Sequence, residues 1–565
     1  MIATVNRRVA LRVGAAVAGI PYLLFSAKSS SATSTAYTLT TGPFVEVETT
    51  NGKLRGGHSR GALAFKGIPY AGPVSGKGRF KEAPPAASWS GVRDALRLGP
   101  PSMQGVGTTG GEDEPPCSEN CLVLNVWTPA MGDGRKRPVM FYCHGGAYSI
   151  GSAGAPGQDG SRLAATYDVV VVASNHRLGL LGFLYLGEFG DEEYATSGNQ
   201  GILDLIAALR WVRINIEAFG GDPNNIMVFG ESGGGFKTGT LLAMPKAHGL
   251  FHKASIESGA ALRRMTRDNA IKTTRRVLQA LDIAPSMWRK LIDVPAETLV
   301  AVQLNLERSN GLLAEMSSEA LPVGAALLHS AGYYFEQPGS LAPVVDGTYL
   351  PVQPFDPVAP EISSAIPLIV GYNRNEATFF NMKRPDTFKM DNEALVARLQ
   401  REFSTEAQRI LSVYRHFRPD ATPSELYIAI ATARLLGNDS IITAERKSRQ
   451  SAPVYSYRYD YQSNLAIPGT SYKFGAGHAS EIAMKFFNFD IPGLQGDGPG
   501  IATASHNMSE MWTNFARTNR PYAFGQPEWP PYDIERRATM LIDVNCSVAH
   551  DPNRQERELW QSRSI

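Results

Sequence analysis

The stretch from Asn225 to Met244, NIMVFGESGGGFKTGTLLAM, constrains this chain more than any other. It opens with Ile226-Met227-Val228-Phe229, an apolar run of strand length, and turns abruptly through Gly230-Glu231-Ser232-Gly233-Gly234. Phe236, Leu241 and Leu242 then recur at helical spacing. A G-x-S-x-G motif between a strand and a helix lifts its serine hydroxyl clear of the backbone, and the glycines permit the strained turn. The motif without that context carries little weight. A second match, Gly57-His58-Ser59-Arg60-Gly61, lies between two short β-like runs with no helix after it, and reads as a hairpin turn.

The rest of the chain supplies strands on which such a turn could be mounted. Residues 44–66 read as short strands joined by turns, an antiparallel edge. Leu122–Trp127, Arg137–Tyr142, Val169–Ala173, Lys253–Glu257, Pro367–Gly371, Val454–Tyr461 and a final short run Met540–Val544 also read as strands. Val169–Ala173 is apolar throughout, as expected of a strand covered on both faces. Helical periodicity appears within Ala195–Phe219 and at Trp512–Ala516, and two helical tracts span about 268–328 and 392–449. Strands alternating with helices predict an α/β fold: a large, mostly parallel twisted sheet with helices on both faces and helical insertions over the site. One domain then covers 42–565. In such sheets ligands bind beyond the carboxyl ends of the strands, which is where His144-Gly145-Gly146, Ser232 and Glu376 all fall.

A serine hydroxyl needs a base to become a nucleophile. In the Ser–acid–His chain order of this fold type, the histidines after the acid are His416, His478, His506 and His550. His416 lies in a charged helix, His506 in a polar helix-like stretch and His550 in the polar tail. His478, in a Gly-flanked loop after a strand, is the candidate base. Glu376, directly after PLIVGYNRN, is the candidate acid that orients the imidazole. Asp346 reads as a turn aspartate. Glu231 is too near Ser232 in sequence to act through the base, and reads as a buried, hydrogen-bonded structural residue. Gly145 and Gly146 after one strand, and Gly233 after the serine, offer backbone N–H groups for an oxyanion hole. His144 belongs to that loop and is assigned no proton transfer. Tyr148, Phe379 and Phe380 flank these segments and are possible pocket residues. No phosphate-binding loop or metal-ligand spacing is present, so no cofactor and no metal is expected.

Net charge is +2 with no long charge runs, which excludes a nucleic-acid or anionic-membrane footprint. The apolar share, 43%, is ample for a core of this size. Arg7-Arg8, a weakly apolar segment Val13–Phe25 and small residues up to Ala36 read as a signal peptide over 1–36, with a hint of twin-arginine export. The apolar segment is too short to span a bilayer. The mature chain is expected to be secreted or periplasmic. Of four cysteines, Cys143 sits inside an apolar strand, and only Cys117 and Cys121 are placed to close a small loop; at most that one disulfide is expected.

Together these residues resemble the type-B carboxylesterases, the esterase/cholinesterase group of the α/β-hydrolase fold. The resemblance runs from about Phe44 to Asp543. It rests on Phe65-Lys66-Gly67-Ile68-Pro69-Tyr70-Ala71, Ser118–Leu122, Leu124-Asn125-Val126-Trp127, His144-Gly145-Gly146, Asn175–Gly179, Gly198–Gly201 with Asp204, and Phe219–Pro223. Gly230-Glu231-Ser232, Gly371–Glu376, Gly475–His478 and Trp512–Arg517 complete it. It implies the triad Ser232, Glu376 and His478 and the oxyanion donors Gly145, Gly146 and Gly233. There are two departures. The family usually has alanine where this chain has Gly233, which implies a looser elbow with function intact. The family's early disulfide joins the cysteine matching Cys121 to one near Ser102, where this chain has none. The expected activity is hydrolysis of small-molecule carboxylic esters through an acyl-enzyme. A lipase or amidase on the same residues, or a non-catalytic binding relative, are the alternatives.

Overall fold

The computed structural model describes residues 40–108, 113–310 and 330–562. The expected leader and the end of the first helical tract lie outside them. The chain builds β1 (Thr40–Thr49), β2 (Gly52–Ser59), β3 (Ala62–Pro69), β4 (Val92–Asp94), β5 (Val123–Thr128), β6 (Arg137–Cys143), β7 (Val170–Ser174), β8 (Gly221–Glu231) and β9 (Lys253–Glu257). There follow a two-residue pair, β10 (Met265–Thr266) with β11 (Val344–Val345), then β12 (Leu368–Asn373) and β13 (Val454–Tyr459). A ribbon of β14 (Ser463–Ala466) and β15 (Lys473–Gly475) precedes β16 (Ala538–Ile542) and β17 (Ser547–His550).

Thirteen of these strands form one sheet in the order β1-β2-β3-β5-β7-β6-β8-β9-β12-β13-β16-β17, with β4 beside β2. Every neighbouring pair from β7 to β16 is parallel. The pairs among β1, β2, β3 and β5 are antiparallel, as residues 44–66 predict, and β17 closes the other edge antiparallel to β16. Ser59 and Ala62 pair across the β2–β3 hairpin, so the second G-x-S-x-G match is the end of β2 and the hairpin turn Arg60-Gly61.

The period of two along a strand divides the core between the sheet's faces. On β6, Val139 and Phe141 join a cluster with Ile202, Leu205 and Leu209 of the helix Gln200–Asn215. Met140 and Tyr142 join another with Met508, Trp512 and Phe515 of the helix Ile501–Thr518. All residues of β6 and β7 are buried, which is why Val169–Ala173 carries no polar alternation. A buried ion pair locks the first helix: Arg177 donates from Nε (2.8 Å), Nη2 (2.7 Å) and its backbone N–H (3.0 Å) to Asp204.

The helical tracts are insertions between sheet strands. The first holds Arg267–Ala280, a 3₁₀ stretch Pro285–Ile292 and Ala296–Asn310. The second holds Asn392–Phe403, Ala407–Phe417, Pro423–Thr432 and Asn438–Lys447, the last two joined by a π turn. Thr422 and Glu425 form a reciprocal capping box around Pro423, which fixes where the third of these starts. The chain does not end its structure at Met540–Val544. β17 and a helix Arg554–Gln561 follow, the helix seated by Leu559 and by Trp560, whose Nε1 donates to Tyr414 Oη at 3.0 Å. Ser547–His550 is a largely exposed edge without apolar alternation, so its sequence carries no strand signal.

Candidate active site

Strand β8 ends at Glu231, and the helix Gly233–Leu241 begins two residues later. Between them Ser232 adopts φ 56°, ψ −121°, a conformation a side chain rarely tolerates. The turn is held by its neighbours: Ser232 N–H donates to the Glu257 carbonyl of β9 at 2.9 Å, and Phe236 N–H returns to the Ser232 carbonyl at 3.0 Å. A Cβ on Gly230 would lie 2.5 Å from Gly234, and one on Gly234 would lie 1.9 Å from the Cys143 carbonyl oxygen. Strand and helix approach this closely only because both positions are glycine. Ser232 remains half-exposed while its neighbours on both sides are buried.

Glu376 lies three residues past β12, fully buried, and its Oε1 accepts from the Asn373 N–H at 2.7 Å. His478 lies three residues past β15. Two contacts stitch their loops together: Asn375 N–H donates to the Ala476 carbonyl at 2.8 Å, and Asn373 Nδ2 to the Gly477 carbonyl at 2.9 Å. The result is a 2.6 Å hydrogen bond between His478 Nδ1 and Glu376 Oε2. The rings of Phe379 and Phe380 cover the imidazole, with centroids 5.5 and 4.9 Å from it.

The imidazole's other nitrogen, Nε2, faces Glu231 Oε1 at 3.3 Å. This differs from the sequence expectation for Glu231. The residue is buried, but among the described residues Oε1 has no hydrogen-bond partner, and the carboxylate reaches the base across the elbow. Among the described residues no hydrogen bond joins Ser232 Oγ to the imidazole, whose two nitrogens face Glu376 and Glu231. Glu481, one turn beyond His478, completes a buried acidic cluster. Its Oε2 accepts from Asn373 Nδ2, and burial, reinforced by Glu376, pushes its carboxyl up to about 7. Burial also pushes Glu231 well above the usual carboxylate range. Burial alone would lower the His478 imidazole; Glu231, Glu376 and Glu481 outweigh it and raise it to about 9. Glu481 was missed in the sequence because nothing marks a glutamate in a short helix as facing inward.

The loop after β6 lies over the elbow. The Cβ position of Gly145 is 3.7 Å from Ser232 Cβ, and Gly146 has φ 86° with no room for a side chain, since the Ile150 carbonyl oxygen would be 2.2 Å away. A Cβ on Gly233 would meet the Ala147 backbone N and O at 2.3 Å. The expectation of a looser elbow at Gly233 is therefore corrected: the missing methyl lets the loop press closer. His144 is buried, its Nδ1 sharing a hydrogen bond with the Gly145 carbonyl at 2.9 Å; burial holds it well below the usual imidazole range.

The remaining candidates separate. Tyr148 is fully buried among Phe183, Phe236 and Phe335, so its ring belongs to an aromatic cluster of the core. Asp346 is the turn aspartate expected, accepting from the N–H groups of Thr348, Tyr349 and Leu350. The Cys117–Cys121 disulfide is not formed: all four cysteines are free. Cys121 is buried against the Ser102 side chain, while Cys117 is half-buried against the Gln104 backbone, so the two thiols turn to different partners.

The model of the carboxylesterase family matches residues 43–560. The chain is 35% identical over 522 residues to para-nitrobenzyl esterase of Bacillus subtilis, covering 91% of this chain and 97% of that one. It is 31% identical to liver carboxylesterase of Sus scrofa, covering 91% and 92%. Among solved structures, a carboxylesterase of Geobacillus stearothermophilus superposes with a TM-score of 0.76 at 36% identity, covering 91% of this chain and all of that one. With the sheet order and the elbow described above, these likenesses leave one conclusion: the chain belongs to the carboxylesterase family, type B, of the α/β-hydrolase fold, and is a serine hydrolase of carboxylic esters.

Proposed function

We propose that Ser232, His478 and Glu376 are the catalytic triad of this esterase, and that Gly145, Gly146 and Gly233 donate to the oxyanion. The observation that carries the reading is the 2.6 Å His478–Glu376 hydrogen bond at the same sheet edge as a strained, half-exposed serine. Ser232 Oγ attacks the ester carbonyl carbon as His478 Nε2 takes its proton. Negative charge moves to the carbonyl oxygen, where backbone N–H groups receive it. The imidazolium then protonates the leaving alcohol, and water attacks the acyl-enzyme by the same route in reverse. Glu376 holds Nδ1 throughout and stabilises the imidazolium.

The substrates are small-molecule esters, and the Phe379 and Phe380 rings that cover the imidazole are the apolar groups nearest the base. Residues 1–36 act as a signal peptide, and the mature enzyme works outside the cytoplasm; Arg7-Arg8, the apolar Val13–Phe25 and the small residues after it support this. The triad is tested with Ser232→Ala, which is expected to abolish turnover of p-nitrophenyl butyrate and labelling by a fluorophosphonate. Retention of most activity would overturn the assignment.

A further inference from the structure

A cleft of about 800 Å³ opens between the chain that runs on from β3 and the stretch that follows β4, and no residue of the candidate active site lines it. It reaches the start of β5, and β7 and β6 stand between β5 and the elbow strand β8. At about 4.8 Å per strand, that is roughly 14 Å across the sheet. The volume is that of a small-molecule site. The walls are fixed by backbone: Lys66 N–H donates to the Ala95 carbonyl at 2.7 Å, and Gly67, at φ 71°, lets the Arg97 carbonyl oxygen come within 2.7 Å of where a Cβ would be. Pro73, Leu96, Leu98, Leu122 and Val123 make most of the lining apolar. Its charge is one-sided. Lys66 is buried and turned to Asp159, 3.7 Å away. Asp94, the one carboxylate in the lining, pairs with Arg55 at 3.3 Å. Arg93 and Arg97 stand exposed at the cleft, and among the described residues neither has a carboxylate partner. Arg93 is steadied by the Trp89 ring, its guanidinium carbon 5.5 Å from the centroid.

We propose that this cleft is a second ligand site, and that it takes an apolar monocarboxylate such as a medium-chain fatty acid, with the carboxylate on Arg93 and Arg97 and the chain along Leu96, Leu98 and Val123. Charge complementarity carries the choice of ligand. A guanidinium presents its N–H groups as a fork that matches a carboxylate, and bonds between charged partners are about twice as strong as neutral ones. A small inorganic anion would leave the apolar lining in water, and a neutral lipid would leave both guanidinium groups unmatched. Only a ligand with one charged end and one apolar end satisfies both parts of the cleft. Hydrolysis of a carboxylic ester releases an acid of this class, so the enzyme's own product is among the ligands the cleft accommodates. The proposal does not depend on which residues form the triad.

The test is calorimetric titration of the whole enzyme with decanoate, after a fluorophosphonate has blocked the active site so that it cannot contribute. A single equivalent should bind with a Kd of about 1 mM or tighter. Acetate, which carries the charge without the chain, should bind about tenfold more weakly or worse. The double variant Arg93→Ala, Arg97→Ala should weaken decanoate by about tenfold or more, with the melting temperature unchanged because both side chains are exposed. Raising the salt from about 0.05 to 0.5 M should weaken decanoate on the unaltered chain as well, since exposed charges are screened. Absence of saturable binding overturns the inference. So does binding that acetate matches, or that the double variant or added salt leaves unchanged. If the double variant fails to fold, Arg97→Gln alone and the salt series decide by the same criteria. Failure here is distinct from failure of the triad, which shows as an active Ser232→Ala enzyme whatever the cleft binds.

Discussion

At the scale of single residues, the site is a contest between burial and charge around one imidazole. Burial favours neutral His478, and the carboxylates around it favour the cation and win, which raises it to about 9. A general base must be neutral to take a proton, so kcat/KM is expected to rise with pH until that ionisation is complete. Glu231 is the carboxylate that acts most strongly on the imidazole. Removing its charge lets burial pull the imidazole down. In Glu231→Gln the acid limb of the kcat/KM–pH profile should therefore move to lower pH by about one unit; an unmoved limb would show that Glu231 does not act on the base. Ser232, Glu376 and His478 were legible in the sequence because each follows a strand-like run in the expected order. The approach of Glu231 to Nε2 was not, because it depends on how far the elbow rotates that side chain.

At the scale of elements, the elbow and the oxyanion loop form one unit pressed together at Gly233. An added methyl would favour the helix by roughly 1 kcal/mol. It would also meet the Ala147 backbone at 2.3 Å, and backbone cannot rotate out of the way. Overpacking of this kind costs about 1–3 kcal/mol, so Gly233→Ala should lower the melting temperature. A displaced loop should also lower kcat by about tenfold or more, since misplacement by about 1 Å can cost a hundredfold. A variant with wild-type melting temperature and kcat would mean the loop yields without cost. The strands of the central sheet were readable because their alternate residues are apolar on both faces. β17 and the final helix were not, since the strand is a short exposed edge and the helix buries only a few side chains.

At the scale of the whole molecule, one sheet carries the glycine loop, Ser232 and Glu376 to the carboxyl ends of its parallel strands, the separate β14–β15 ribbon brings His478 to Glu376, and the helical insertions leave that order intact. Export is a property of the chain as a whole. If residues 1–36 direct it, the intact gene expressed in its own cell should yield extracytoplasmic protein whose amino terminus lies near residue 37, and deletion of those residues should leave the enzyme active inside. Protein recovered from the cytoplasm with Met1 intact would refute the proposal. The free state of all four thiols was not legible, since Cys117 and Cys121 are close in sequence and only the fold turns them apart. The loops that meet around Ser232 come from positions as distant as Gly145 and His478, joined by contacts between strand ends. Contacts so remote along the chain carry a loop-closure cost that must be met before they stabilise anything. Turnover is therefore an all-or-none property of the finished sheet, and a chain truncated anywhere between those two residues forfeits the whole of it rather than a share.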